Sequence, residues 1–100
     1  MEDRPGAPRV VRTLNDIDVG VGDTAKFDCR FHSDTPMDVQ WYHGRNLVMH
    51  GGRHKISERN GILTLSVRDV RQSDEGKYRC VVSNVDGRST QIARLIVSGM

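Results

Sequence analysis

Strict period-two alternation constrains this chain more than any other feature. Over residues 24–32, Ala25, Phe27, Cys29 and Phe31 share one face, while Thr24, Lys26, Asp28, Arg30 and His32 take the other. That pattern is a strand with one buried side. The same reading turns Val39 and Trp41 inward over 37–43, and Leu63, Leu65 and Val67 inward over 62–68. It does so for Tyr78, Cys80 and Val82 over 77–83, and for Ala93, Leu95 and Val97 over 91–98. Shorter strands are expected over 10–14 and 17–21, and a weak edge strand over 55–57. Turn residues punctuate these runs: Gly22-Asp23, Gly44-Arg45-Asn46, Asn60-Gly61 and Asp86-Gly87. Asn60-Gly61 is the signal for a two-residue hairpin with positive φ at both positions. No segment keeps a helical period, so the expectation is an all-β sandwich or barrel.

One hundred residues make a single domain, with no room for a second core. Hydrophobic residues at 36%, charged residues at 28% and a net charge of +2 are the balance of a folded globular chain. No apolar run is long enough to cross a bilayer, so no membrane insertion is expected. Residues 1–8 are charged and Pro-rich; they read as a flexible tether and not as a secretory signal. Charge is uneven along the chain, net −3 over residues 1–44 and net +5 over 45–100. Nucleic-acid binding would need exposed aromatics among the cations, but only five aromatics exist and most fall at inward positions.

Cys29, Trp41 and Cys80 form an inward set on three separate strands. Asp74-Glu75-Gly76-Lys77-Tyr78-Arg79-Cys80 adds a tyrosine two residues before the second cysteine. Its hydroxyl is placed to reach back and pin the preceding corner, a tyrosine corner beside a Cys–Trp–Cys core. With Gly22-Asp23, Val39-x-Trp41, Leu63-x-Leu65-x-Val67, Val70, Ser83-Asn84-x-x-Gly87 and Ala93-x-Leu95-x-Val97, the chain resembles an immunoglobulin domain of the intermediate (I-set) class. The resemblance runs from Leu14 to Val97, and the short stretch between Leu47 and Lys55 argues against the variable type. It implies an immunoglobulin-like two-sheet Greek-key sandwich over 9–98. One sheet would hold strands 9–14, 23–32, 61–68 and 53–58; the other 16–20, 88–98, 76–84, 37–43 and 46–49. The structural core would be Cys29, Trp41, Leu65, Asp74, Tyr78 and Cys80.

The family contains both oxidised and reduced members. A Cys29–Cys80 disulfide would close a loop of about 50 residues and add roughly 4 kcal/mol by chain entropy; the alternative is two buried thiols packing as small apolar groups. None of Asn15, Asn46, Asn60 and Asn84 begins a glycosylation sequon. The expected compartment is therefore cytoplasmic and sarcomeric, with an extracellular or cell-surface location as the alternative.

Catalysis is not expected. His50 and His54 flank a Gly51-Gly52 loop where ligand geometry would not be fixed, and His32 and His43 are isolated. Ser73-Asp74 places a hydroxyl beside an acid, but Asp74 more naturally fixes the turn before Tyr78 or pairs with Arg53. No cofactor or metal is expected. Two surfaces are candidates for a partner. One is the outward face carrying Tyr42, Arg79, Val81, Ile92 and Arg94. The other is the basic stretch Arg45, His50, Arg53, His54, Lys55 and Arg59, with only Glu58 opposing, which would suit an acidic filament or a sulfated glycan or simply protect a sheet edge. The resemblance is to I-set domains of titin-like, obscurin-like and myosin-binding muscle and cytoskeletal proteins. It implies a non-catalytic module that binds other proteins and spaces neighbours in a longer chain, monomeric when isolated. An adhesion or receptor domain, or a basic actin- or glycan-binding module, is the alternative.

Overall fold

The computed structural model describes residues 6–99. Among these residues, nine strands run β1 Arg9–Arg12, β2 Ile17–Gly20, β3 Ala25–His32, β4 Asp38–His43, β5 Asn46–Val48, β6 His54–Arg59, β7 Ile62–Val67, β8 Gly76–Asn84 and β9 Gly87–Ser98. A 3-10 turn, Gln72–Asp74, sits between β7 and β8. Four strands form one sheet in the order β1-β3-β7-β6, and five form the other in the order β2-β9-β8-β4-β5. This is the expected immunoglobulin-like sandwich with the expected assignment of strands to sheets. The alternation read from the sequence is the cause: in β3 every odd residue is buried, and in β8 Tyr78, Cys80 and Val82 are.

The core lies between the sheets. Trp41, Phe27, Tyr78, Leu63, Leu65, Leu95, Cys29 and Cys80 are all essentially inaccessible. Trp41 stands directly opposite Cys80 across the β4–β8 pair. Cys29 comes from the facing sheet, opposite Leu63. No bond joins Cys29 and Cys80 in this structure, and their close approach together with burial pushes the Cys80 thiol up. Phe27 bridges the sheets, its ring 5.0 Å from Tyr78 and 6.4 Å from Trp41.

The first strand departs from expectation. It was expected to run to residue 14 but ends at Arg12, with a register irregularity between Val10 and Arg12. The chain then crosses from one sheet to the other, and that crossing drives Leu14 into the core while Val10 and Val11 stay exposed. Most of the expected tether, residues 1–5, lies outside the described residues. Its last three residues are docked: Pro8 is buried and the Gly6 carbonyl accepts a hydrogen bond from Asn84 Nδ2.

One turn shows why its residues are needed. Asn60 and Gly61 both have positive φ, 53° and 81°, and join Arg59 to Ile62 in the two-residue hairpin the sequence signals. Strand β2 pairs with β9 in parallel, Ile17 with Leu95 through Gly20 with Ser98. Arg9 lies opposite His32 at the far end of β3, whereas Ser98 lies beside Gly20, just before β3 begins. The two ends of the sandwich therefore leave from opposite poles.

Candidate protein-interaction site

Three groups of residues were singled out from the sequence, and the fold sends them to three different places.

The first is the corner before β8. Asp74 is 5% exposed and closes the 3-10 turn. Arg53 meets it side-on with two bonds, Nη1 to Oδ2 at 2.8 Å and Nη2 to Oδ1 at 3.1 Å. The backbone N–H of Arg71 donates to the same Oδ2 at 2.8 Å. Arg53 Nη1 also donates to the carbonyls of Arg68 and Asp69. The Tyr78 hydroxyl donates to the Asp74 carbonyl at 2.6 Å, which is the tyrosine corner. Burial alone would raise the Asp74 carboxyl, but the hydrogen bonds from Arg53 and Arg71 hold it below the ordinary carboxylate range. Burial pushes the Tyr78 phenol up. His43 stacks on Tyr78 at 4.4 Å and 3° between planes, and its Nε2–H donates to the Glu75 carbonyl. Both oxygens of Asp74 are thus engaged by Arg53 and Arg71, and Arg53 serves the corner.

The second is the outer face of the five-stranded sheet. Cross-strand register puts Tyr42, Arg79 and Ile92 in one row and Gln40, Val81 and Thr90 in the next. The Arg79 guanidinium lies over the Tyr42 ring, 4.6 Å from its centre, a cation–π contact. Arg79 Nε is buried there with no hydrogen-bond partner. A shallow cleft of about 280 Å³ opens beside this pair toward Ser83 and Arg88. Ile92 and Ile96 are 53% and 43% exposed. Arg94 stands opposite Lys77, and its backbone N–H donates to Asp16. Arg45 joins this sheet's end, in a cleft with Gly44, Lys77 and Arg79.

The third is the basic stretch, which the fold divides. Arg45 goes with the five-stranded sheet, Arg53 with the corner, and Lys55 lies opposite Ser66 on the outside of the four-stranded sheet. The histidines do not converge on a site. His50 Nδ1 accepts the Ile56 N–H at 3.0 Å, and His32 Nε2 contacts Asp34. Among the described residues, no group of three or more His, Cys, Asp or Glu is placed to hold a metal ion. No helix among them is long and apolar enough to cross a membrane.

Asn84 is a joint whose role the sequence alone does not reveal. Its Nδ2 donates to Gly6 O and Ser33 Oγ, while its Oδ1 accepts from the N–H groups of Asp86 and Gly87. The Asn-x-Asp-Gly run signals the turn, but nothing local points to the partners 78 and 51 positions away.

Two apposed sheets, a buried Trp between a pair of cysteines and a tyrosine-pinned corner define an immunoglobulin-like domain. The chain belongs to the immunoglobulin I-set family, whose model matches residues 8–97. It is 31% identical to telokin of Meleagris gallopavo over 99% of this chain and 66% of telokin. It is 30% identical to smooth-muscle myosin light chain kinase of Gallus gallus, over 99% of this chain and 5% of the kinase. Its match to titin of Drosophila melanogaster is 29% identical over 98% of this chain and 1% of titin. The chain thus spans less than two-thirds of each of these relatives. Among solved structures, the titin M4 domain superposes with a TM-score of 0.90 at 28% identity, covering 98% of this chain and 100% of M4.

Proposed function

We propose that this chain is a non-catalytic interaction and spacer module of a longer cytoplasmic muscle or cytoskeletal protein. The outer face of the five-stranded sheet would be its contact surface. One observation carries the reading: Arg79 is laid over Tyr42 with a buried, unpartnered Nε, beside exposed Ile92 and Ile96. Tyr and Arg are the residue types that anchor protein interfaces, and the half-buried Arg79 side chain, with its Nε unpartnered, gains from a polar partner docked on this face. The relatives, among them a kinase of smooth muscle, supply the setting.

The spacer role rests on topology. The sandwich is elongated, 47 × 24 × 22 Å, with its ends at opposite poles. Tension on those ends loads the parallel β2–β9 bonds in shear, all together and not one at a time. Each bond contributes only about 1 kcal/mol net, so resistance comes from simultaneous loading.

Cosedimentation with washed muscle myofibrils tests the binding role. The chain should pellet, and Tyr42→Ala with Arg79→Ala should pellet less while keeping its thermal midpoint. Equal pelleting of both proteins, or of neither, rejects the reading.

A further inference from the structure

The outer faces of the two sheets differ in charge in a way that no stretch of sequence displays. On the four-stranded sheet, β3 presents Lys26 and Arg30 outward, because Ala25, Phe27, Cys29 and Phe31 fill the core. Cross-strand register then sets Lys26, Ser66 and Lys55 in one row, and Arg30, Ile62 and Arg59 in another. Strand β1 extends the second row with Arg12, opposite Arg30, and adds Arg9 opposite His32. Between the two rows runs a line of Asp28, Thr64 and Ser57. Among the described residues, six cations therefore share this sheet face with one carboxylate, Asp28, and Arg12 already engages it.

The other candidate counter-charge is also committed, since Glu58 accepts the Gly61 N–H at the hairpin. Among the described residues, the ion pairs are Arg12–Asp28, His32–Asp34 and Arg53–Asp74; none involves Lys26, Arg30, Lys55 or Arg59. All four are exposed. The outer face of the five-stranded sheet, by contrast, mixes its cations with Asp18 and Asp38 and with exposed isoleucines.

We infer that the outer face of the four-stranded sheet is a second docking surface, independent of the Tyr42–Arg79 face, and that its partner is an acidic protein surface. Charge complementarity selects the sign of the partner. The layout selects its dimensionality. Lys26 and Arg30 are four residues apart along β3, about 13 Å, and the face spans four strands at about 4.8 Å spacing. A single linear polyanion follows one row and leaves the other unmet. A surface bearing carboxylates meets both. Four of the six cations are arginines, whose planar fork accepts a carboxylate through two bonds. The hydroxyls of Ser57 and Thr64 supply directional contacts between the rows, and that of Ser66 supplies one within the first row. A membrane surface is disfavoured because Ile62, 37% exposed, is the one large apolar residue on these outward rows, and no aromatic accompanies it.

The test compares three immobilised anions: a dense poly-L-glutamate layer, heparin, and vesicles of phosphatidylcholine with phosphatidylserine. Wild-type chain should bind the glutamate layer best and release as salt is raised past about 0.3 M. The variant K26E/R30E/K55E/R59E should lose about ten-fold or more in affinity. The milder row variants K26Q/K55Q and R30Q/R59Q should each lose part of it, and they keep the test valid if the quadruple variant does not fold. Tyr42→Ala with Arg79→Ala should bind the glutamate layer as wild type does. Undiminished binding by the row variants overturns the inference, and so does tighter binding to heparin or to the vesicles than to glutamate.

Discussion

Arg53 and Asp74 meet through two parallel hydrogen bonds, 2.8 and 3.1 Å, across the end of the sandwich. The pair links the start of the β6 hairpin to the turn that feeds β8. Arg53 further caps the Arg68 and Asp69 carbonyls, so one side chain closes three backbone segments. Removing it leaves a buried carboxylate facing no cation. Arg53→Ala should cost about 2–3 kcal/mol, toward the low end for a buried pair because Arg53 keeps some solvent contact. Arg53→Lys retains the charge but loses the fork, and should recover less than half of that. Chemical denaturation of the two variants gives both values.

The same corner sets a pH dependence. The Asp74 carboxyl is lowered in the folded chain, so its contribution is present above the unfolded value of about 3.9 and is lost as pH falls through the folded value. Burial and the neighbouring Arg53 charge lower His54 in the folded chain. The unfolded chain then binds the His54 proton first, so stability begins to fall once pH drops below about 6.5. Stability measured from pH 8 downward should therefore decline in two stages. His54→Gln should remove the upper stage and Asp74→Asn the lower. A single stage in the wild type, or two in both variants, contradicts this assignment.

Strand identity was legible because a half-buried sheet writes itself as alternation, and Cys29, Trp41 and Tyr78 fall on the inward phase of theirs. The corner was partly legible as well, since the Asp-x-Gly-x-Tyr-x-Cys spacing ties Asp74 to Tyr78 locally. The charged faces were not. Arg45, Arg53 and Lys55 are neighbours along the chain, yet a turn and a change of sheet send them apart. Lys26 and Lys55 belong to separate strands, and only the β3–β7–β6 register brings them into one row. Local periodicity specifies which way a side chain faces; it does not specify which strand lies alongside. The Asn84 joint escaped for the same reason.

Tyr78 separates the hydroxyl from the ring. Its Oη bonds the Asp74 carbonyl in a buried site, and its ring packs on Phe27 and His43. Tyr78→Phe keeps the packing and orphans the carbonyl, for an expected loss of about 1–2 kcal/mol. Tyr78→Leu removes the stacking too and should cost roughly twice as much. Equal losses in the two variants would place the whole contribution in the hydroxyl.

Gly61 isolates a close approach from a backbone preference. Its φ of 81° already disfavours any side chain, and a Cβ there would sit 2.3 Å from the Phe31 carbonyl oxygen. The Phe31 N–H is itself bonded to the Gly61 carbonyl at 2.9 Å, which holds the two backbones close at this point. Gly22 and Gly44 also have positive φ, 91° and 60°, but a Cβ at either would meet nothing within 4 Å. Gly22→Ala and Gly44→Ala should each cost about 1 kcal/mol, the conformational term alone. Gly61→Ala should cost at least about 2 kcal/mol more, because the hairpin and β3 must part for the methyl group to fit. Thermal and denaturant unfolding of the three single variants makes the comparison directly. If Gly61→Ala matches the other two, the hairpin yields without disturbing β3, and the contact between Phe31 and the turn is not what holds the β7 register.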